Sequence, residues 1–181
     1  MKRIFLYLIM LLTLTACWWK QGQSSKLVSF WQFSFNIPDA FSQVDNKKTI
    51  KDFKILYTYN AKDLVEWNDS ESSLVLLKYI GDYPKDKKEF FNIVSDKFVR
   101  QIPGTEILEK SKFKKDDNVI YYFTYKVYDN LFTQKKENAD HYGLQSYIFS
   151  KDKLYVISYV SSSNKAIKMI LDDIKNLHTN K

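Results

Sequence analysis

Residues 119–127 read Val-Ile-Tyr-Tyr-Phe-Thr-Tyr-Lys-Val, and every odd position is apolar. Side chains alternate across a β-strand with a period of two, so Val119, Tyr121, Phe123, Tyr125 and Val127 share one face. Residues 105–114 form a second strand before it, joined through Lys115-Asp116-Asp117-Asn118, a polar turn of hairpin type. Residues 141–150 and 154–160 repeat the arrangement through Lys151-Asp152-Lys153. Two successive hairpins dictate a mostly antiparallel sheet, and a sheet face this rich in rings needs a second layer to cover it. With 13 Tyr and 13 Phe in 181 residues, the composition excludes a disordered chain.

The remaining elements fit the same architecture. Residues 26–38 alternate, with Trp31, Phe33, Phe35 and Ile37 on one face and Gln32, Ser34 and Asn36 on the other. Pro38-Asp39 ends that strand. Residues 54–59 predict a short strand with Ile55, Tyr57 and Tyr59 on one face, after a polar loop over 43–52. Residues 73–80 are apolar on both faces, as in a central strand. Asp86 and Glu89 have capping-box spacing. Phe91, Val94, Phe98 and Ile102 then mark a helical stripe that Pro103-Gly104 ends. Ser163 is placed to cap a last helix carrying Ile167, Ile170, Leu171, Ile174 and Leu177. Residues 178–181 are expected to fray. The expected order is β-β-β-α-β-β-β-β-α, an α+β domain over 27–178 with two amphipathic helices packed on the sheet.

The N-terminus carries different information. Lys2 and Arg3 precede an apolar run over 4–14, interrupted by Thr13. Eleven helical residues reach about 16 Å, whereas a bilayer core is about 30 Å thick. The segment therefore reads as the apolar region of a signal peptide over 1–16. Leu14-Thr15-Ala16-Cys17 resembles a bacterial lipobox. That resemblance implies acylation of Cys17 and membrane anchoring at the bacterial cell envelope, in a leaflet the sequence leaves open. A secreted protein cut after Ala16 and an uncleaved anchor are the alternatives. Residues 17–26 would form a lipidated start and a tether reaching roughly 17 Å. Trp18 and Trp19 either lie in the headgroup zone or belong to a plain tether.

The segment Phe33-Ser34-Phe35-Asn36-Ile37-Pro38-Asp39-Ala40-Phe41, followed by strands, a helix, two hairpins and a final helix, resembles the PsbP-like fold. Bacterial lipoproteins of the DcrB type share that fold, and a cystatin-like or other α+β lipoprotein domain is the alternative. The resemblance implies an antiparallel sheet between helices. It transfers no catalytic residues, because the fold has no shared catalytic motif.

The chemistry-bearing residues are sparse. Cys17 is the sole thiol, and acylation would remove it as a nucleophile. His141 and His178 are the two histidines, too few for an ordinary zinc ligand set, and no metal or cofactor is expected. Asp116-Asp117 read as turn formers, and Asp172-Asp173 as an exposed pair on the last helix. Tyr122 and Tyr128 are candidate contact residues on the tyrosine-rich strands, with core packing as the alternative. The 129–140 connection is long for a hairpin. Its Leu131, Phe132, Lys135 and Lys136 suit a binding edge, or fold back with Leu131 and Phe132 buried.

The formal charge of +7 falls once Lys2 and Arg3 leave. It favours an anionic membrane surface, and no nucleic-acid motif accompanies it. The chain reads as a non-enzymatic envelope lipoprotein that binds a protein partner. A binder of small ligands or envelope polymers is the alternative, and a hydrolase a more distant one.

Overall fold

The computed structural model describes residues 25–44, 48–64, 69–128 and 141–179, excepting the side chains of 62–71. Four two-residue loops organise its strands: Trp31-Gln32, Lys51-Asp52, Asp116-Asp117 and Lys151-Asp152. The first residue of each has positive φ, between 46° and 55°. Positive φ in so short a loop matches the right-handed twist of the paired strands. None of the four is glycine, so each left-handed residue costs on the order of 1 kcal/mol, which strand pairing offsets.

The strands are β1 (Ser25–Phe30), β2 (Phe33–Pro38), β3 (Ser42–Val44), β4 (Thr49–Ile50), β5 (Phe53–Leu64) and β6 (Asp69–Tyr79). After helix α1 (Lys87–Gln101) come β7 (Thr105–Lys115), β8 (Asn118–Val127), β9 (His141–Ser150) and β10 (Lys153–Ser161). Helix α2 (Asn164–Lys175) and the short β11 (His178–Thr179) complete the chain. The large sheet runs β3-β5-β6-β10-β9-β8-β7, with β4 also paired to β5, and a small sheet runs β1-β2-β11. All the pairings are antiparallel.

The large sheet is covered on both faces. On one, Phe91 of α1 meets Tyr121, Phe123 and Tyr147, with Val94 and Phe98 beside it. Val119, Tyr121, Phe123, Tyr125 and Val127 do share this face. On the other, the β1–β2 hairpin and α2 bury Phe30, Phe33, Phe35, Ile167, Ile170 and Ile174 against Ile120, Ile148, Ile157 and Tyr159. Each large apolar side chain so buried contributes roughly 1.5–3 kcal/mol. The predicted caps form: Asp86 Oδ1 accepts from the Glu89 N–H at 2.9 Å, and Ser163 Oγ from the Ala166 N–H at 3.4 Å.

Four expectations are corrected. The strand over 26–38 is a hairpin, because Phe30 and Phe33 must both point into the core and only a two-residue loop puts them side by side. The 43–52 segment contributes β3 and β4, which pair along the outer side of β5. Ile55 does not share a face with Tyr57 and Tyr59. Leu56 is an extra residue in a bulge, so Ile55 opposes Leu77 on the α1 side while Tyr57 opposes Leu76 on the other. Residues 178–179 pair with Ser34 and Phe33 of β2 instead of fraying, and Thr179 Oγ1 donates to Asp116 Oδ2 at 2.8 Å.

Gly143 shows how tightly the α1 face is filled. It lies opposite Tyr125 in the β8–β9 ladder, and a Cβ there would sit 2.0 Å from the Tyr125 Cζ. The Tyr125 ring is held from above by Phe98, centroid to centroid 4.6 Å. Replacement Gly143→Ala is expected to destabilise the fold by about 1–3 kcal/mol through overpacking. Denaturant unfolding of both proteins measures it, and equal midpoints would contradict this account.

Candidate functional site

The two-residue loop between β1 and β2 places Trp31 at the tip of the hairpin with 57% of its surface exposed. Its neighbours in sequence, Phe30 and Phe33, are buried. The loop is fastened to the β9–β10 turn by Gln32 Nε2, which donates to Ser150 Oγ at 2.6 Å. The indole is therefore held outside the core by the same geometry that buries its neighbours. Two ammonium groups lie against it: Lys153 Nζ is 3.9 Å and Lys78 Nζ 5.7 Å from a ring centroid. Cation–π contacts at exposed sites contribute about 0.5–1 kcal/mol. They offset part of what burying the indole would have contributed.

Beneath Trp31 runs a row of residues set by strand register. Lys54 of β5 opposes Lys78 of β6, and Lys78 opposes Tyr155 of β10. Like charges directly opposite one another in a sheet are unfavourable by a fraction of a kcal/mol. Lys54, Lys78 and Lys153 form no ion pair among the described residues. Tyr155 is fully buried against Phe30 and Phe33, yet its hydroxyl has no hydrogen-bond partner among the described residues. Burial, reinforced by the Asp152 carboxylate, pushes the phenol up to about 12, so it stays a neutral donor at physiological pH.

Trp31, Lys54, Lys78 and Tyr155, together with Tyr57 and Ile80, line an open cleft of about 920 Å³. The Leu56 bulge shapes its floor. A smaller cleft shares Lys78 and Ile80 and extends past Lys153 to Tyr83 and Asp152. The Tyr83 hydroxyl is also buried without a partner among the described residues. A third cleft lies among Gln32, Asp116, Asp117, Ser150 and His178. Among the described residues no cluster of three or more His, Cys, Asp or Glu is placed to hold a metal ion.

The residues singled out by sequence are dispersed. Cys17, Leu131, Phe132, Lys135 and Lys136 lie outside the described residues. Tyr122 is buried under α2, with its hydroxyl donating to Glu109 at 2.5 Å. Burial and that carboxylate raise its phenol to about 12. Tyr128 is half-buried at the edge, with Lys126 4.8 Å from its ring and its hydroxyl 3.4 Å from Glu106. The Tyr122 and Tyr128 rings do not form a joint platform. His141 and His178 are both exposed, at the starts of β9 and β11. Asp116 and Asp117 form a hairpin loop, as expected. Among the described residues, no helix is long and apolar enough to cross a membrane.

Sequence reasoning missed the Trp31 cleft, although a signal for its position was present. In a single strand Phe30 and Phe33 would face opposite ways. Even-numbered Val28 and Phe30 followed by odd-numbered Phe33, Phe35 and Ile37 mark a change of parity, which a two-residue loop produces. The register of Lys54 with Lys78 has no local signal.

No protein-family model and no curated protein matches the chain. Its structure is similar to solved structures that cover nearly all of both chains. The solution structure of cyanobacterial PsbP from Synechocystis sp. PCC 6803 matches with a TM-score of 0.55 at 18% identity, over 88% of this chain and 95% of that one. The crystal structure of the Saccharomyces cerevisiae Ran-binding protein Mog1p matches with a TM-score of 0.56 at 13% identity, over 87% and 96%. At these identities the likeness concerns the fold: an antiparallel sheet with helices packed on it, as in PsbP and Mog1p.

The acidic pair on α2 differs from its expected exposure. Asp172 is exposed, whereas Asp173 is half-buried, and burial with the neighbouring Asp172 charge pushes its carboxyl up to about 6. Both also sit in the last turn of α2, where the helix dipole disfavours negative charge. The folded state therefore holds the Asp173 proton more tightly than the unfolded chain does. Its contribution is favourable below about pH 4 and is lost as pH rises through about 6. Asp173→Asn should raise the melting temperature at pH 7 and have little effect at pH 4. A gain of equal size at both pH values would contradict the assignment.

Proposed function

We propose that this protein is a bacterial envelope lipoprotein, anchored through lipid on Cys17, whose α+β domain serves as a non-enzymatic accessory module binding a protein partner. The observation that carries the reading is a lipobox-like Leu14-Thr15-Ala16-Cys17 placed ahead of a domain with the fold of PsbP and Mog1p. Mog1p is described as a Ran-binding protein, so this fold serves recognition in at least one setting. Cys17 lies eight residues before Ser25, where β1 begins. The β1–β2 hairpin begins at Ser25 and turns at Trp31-Gln32, so the Trp31 tip lies at the end of the hairpin away from Ser25.

A second reading, binding of a small ligand or envelope polymer, draws support from the Trp31 cleft. Its volume falls in the range of small-molecule sites, roughly 300–1,000 Å³.

Intact-mass measurement of the protein recovered from membranes should show a chain starting at Cys17 and carrying diacylglyceryl. A free thiol at Cys17 or a retained leader would sink the anchored reading. Crosslinking in intact cells should recover a specific protein, and failure to enrich any protein above a Cys17→Ser control would count against the partner.

A further inference from the structure

The geometry points to the Trp31 cleft as a binding site for an anionic saccharide, meaning a sugar ring that bears a carboxylate or a phosphate. The inference rests on the ligand-binding reading and requires neither the anchor nor a protein partner. Three independent features converge on this chemistry. An indole 57% exposed at the lip offers apolar surface against which the C–H face of a sugar can pack. Lys54 and Lys78 are held opposite each other, with Lys153 close to Trp31, and among the described residues no acidic side chain pairs with any of the three. A bound anion would relieve that repulsion. Tyr155 is one of the residues lining the cleft, and its buried hydroxyl, which has no hydrogen-bond partner among the described residues, is a spare donor for a ligand oxygen.

The same features disfavour two other occupants. The cores of protein–protein interfaces are depleted in lysine, whereas lysines flank this ring. A neutral sugar would leave the lysines as they are. Lysine ammonium groups act as compact point charges, so they suit carboxylate and phosphate oxygens alike. Asp152 borders the adjoining cleft beside Lys153 and limits how far an anion extends in that direction.

The test uses the full-length chain in non-ionic detergent, labelled with 5-fluorotryptophan. Four tryptophans give four fluorine signals, and Trp31→Phe assigns the one from Trp31. The probes are galacturonic acid dimer, trehalose 6-phosphate, maltose and a short acidic peptide containing tyrosine. The Trp31 signal should shift saturably with one or both acidic sugars, and the pair of them separates carboxylate from phosphate preference. Affinity should fall about tenfold or more in Trp31→Ala and about threefold or more in Lys78→Gln and Lys153→Gln. Lys112→Gln on β7 should leave it unchanged. Tyr155→Phe should weaken binding without lowering the melting temperature, since it removes only an unpartnered hydroxyl. Should Trp31→Ala fail to fold, the lysine and Tyr155 variants decide the matter. The proposal is overturned by no saturable shift with either acidic sugar, by equal binding of maltose, by tighter binding of the peptide, or by lysine variants that bind like the parent. Those outcomes leave the anchor and the crosslinked partner untouched, so the readings fail separately.

Discussion

The central strands of the large sheet are buried on both faces, and the rest of the molecule answers to that constraint. β6, β10, β9 and β8 alternate large side chains up and down: Leu76 with Leu77, Tyr155 with Val156, Ile148 with Phe149, Tyr122 with Phe123. A sheet of this kind has no face it can leave in water, so it needs a cover on each side. Helix α1 supplies one through Phe91 and Phe98. Helix α2 and the β1–β2 hairpin share the other. The edges are handled differently. At one edge, β7 is exposed along most of its length and carries Glu106, Glu109, Lys110, Lys112 and Lys114, charges that discourage pairing with another chain.

The Trp31 cleft is a by-product of the hairpin cover that acquired specific chemistry. A two-residue loop that buries Phe30 and Phe33 has nowhere to place Trp31 except outside. Gln32 then locks the loop to Ser150, and strand register delivers Lys54, Lys78 and Tyr155 beneath the indole. Each of these placements costs something locally: a left-handed tryptophan, two facing lysines, an unpartnered phenol. Departures from local consistency are expected where a surface is adapted to recognition. Here three of them occur around one cleft.

This arrangement also bears on what kind of protein this is. Similarity to PsbP and Mog1p at 18% and 13% identity speaks to the sheet and its two covers, not to a ligand. The fold is a frame whose function depends on what is grafted onto it. The feature particular to this chain in the structure is the Trp31 cleft at the tip of the hairpin, and the lipid attachment proposed for Cys17 is read from sequence alone.

Much of the architecture was legible in the residues alone. The α+β class, the two C-terminal hairpins, both helices with their Asp86 and Ser163 caps, and the shared face of Val119 to Val127 all follow from periodicity and capping, which are local properties. The sequence by itself also carries the lipobox-like segment, because a targeting signal is read as a linear string. Tertiary structure decided the rest. The parity change at Trp31, the face switch at Leu56 and the capture of residues 178–179 by β2 depend on which strands meet. The meeting of Lys54, Lys78 and Tyr155 is of the same kind: they lie 24 and 77 positions apart along the chain, and only hydrogen-bond register across β5, β6 and β10 brings them into one row.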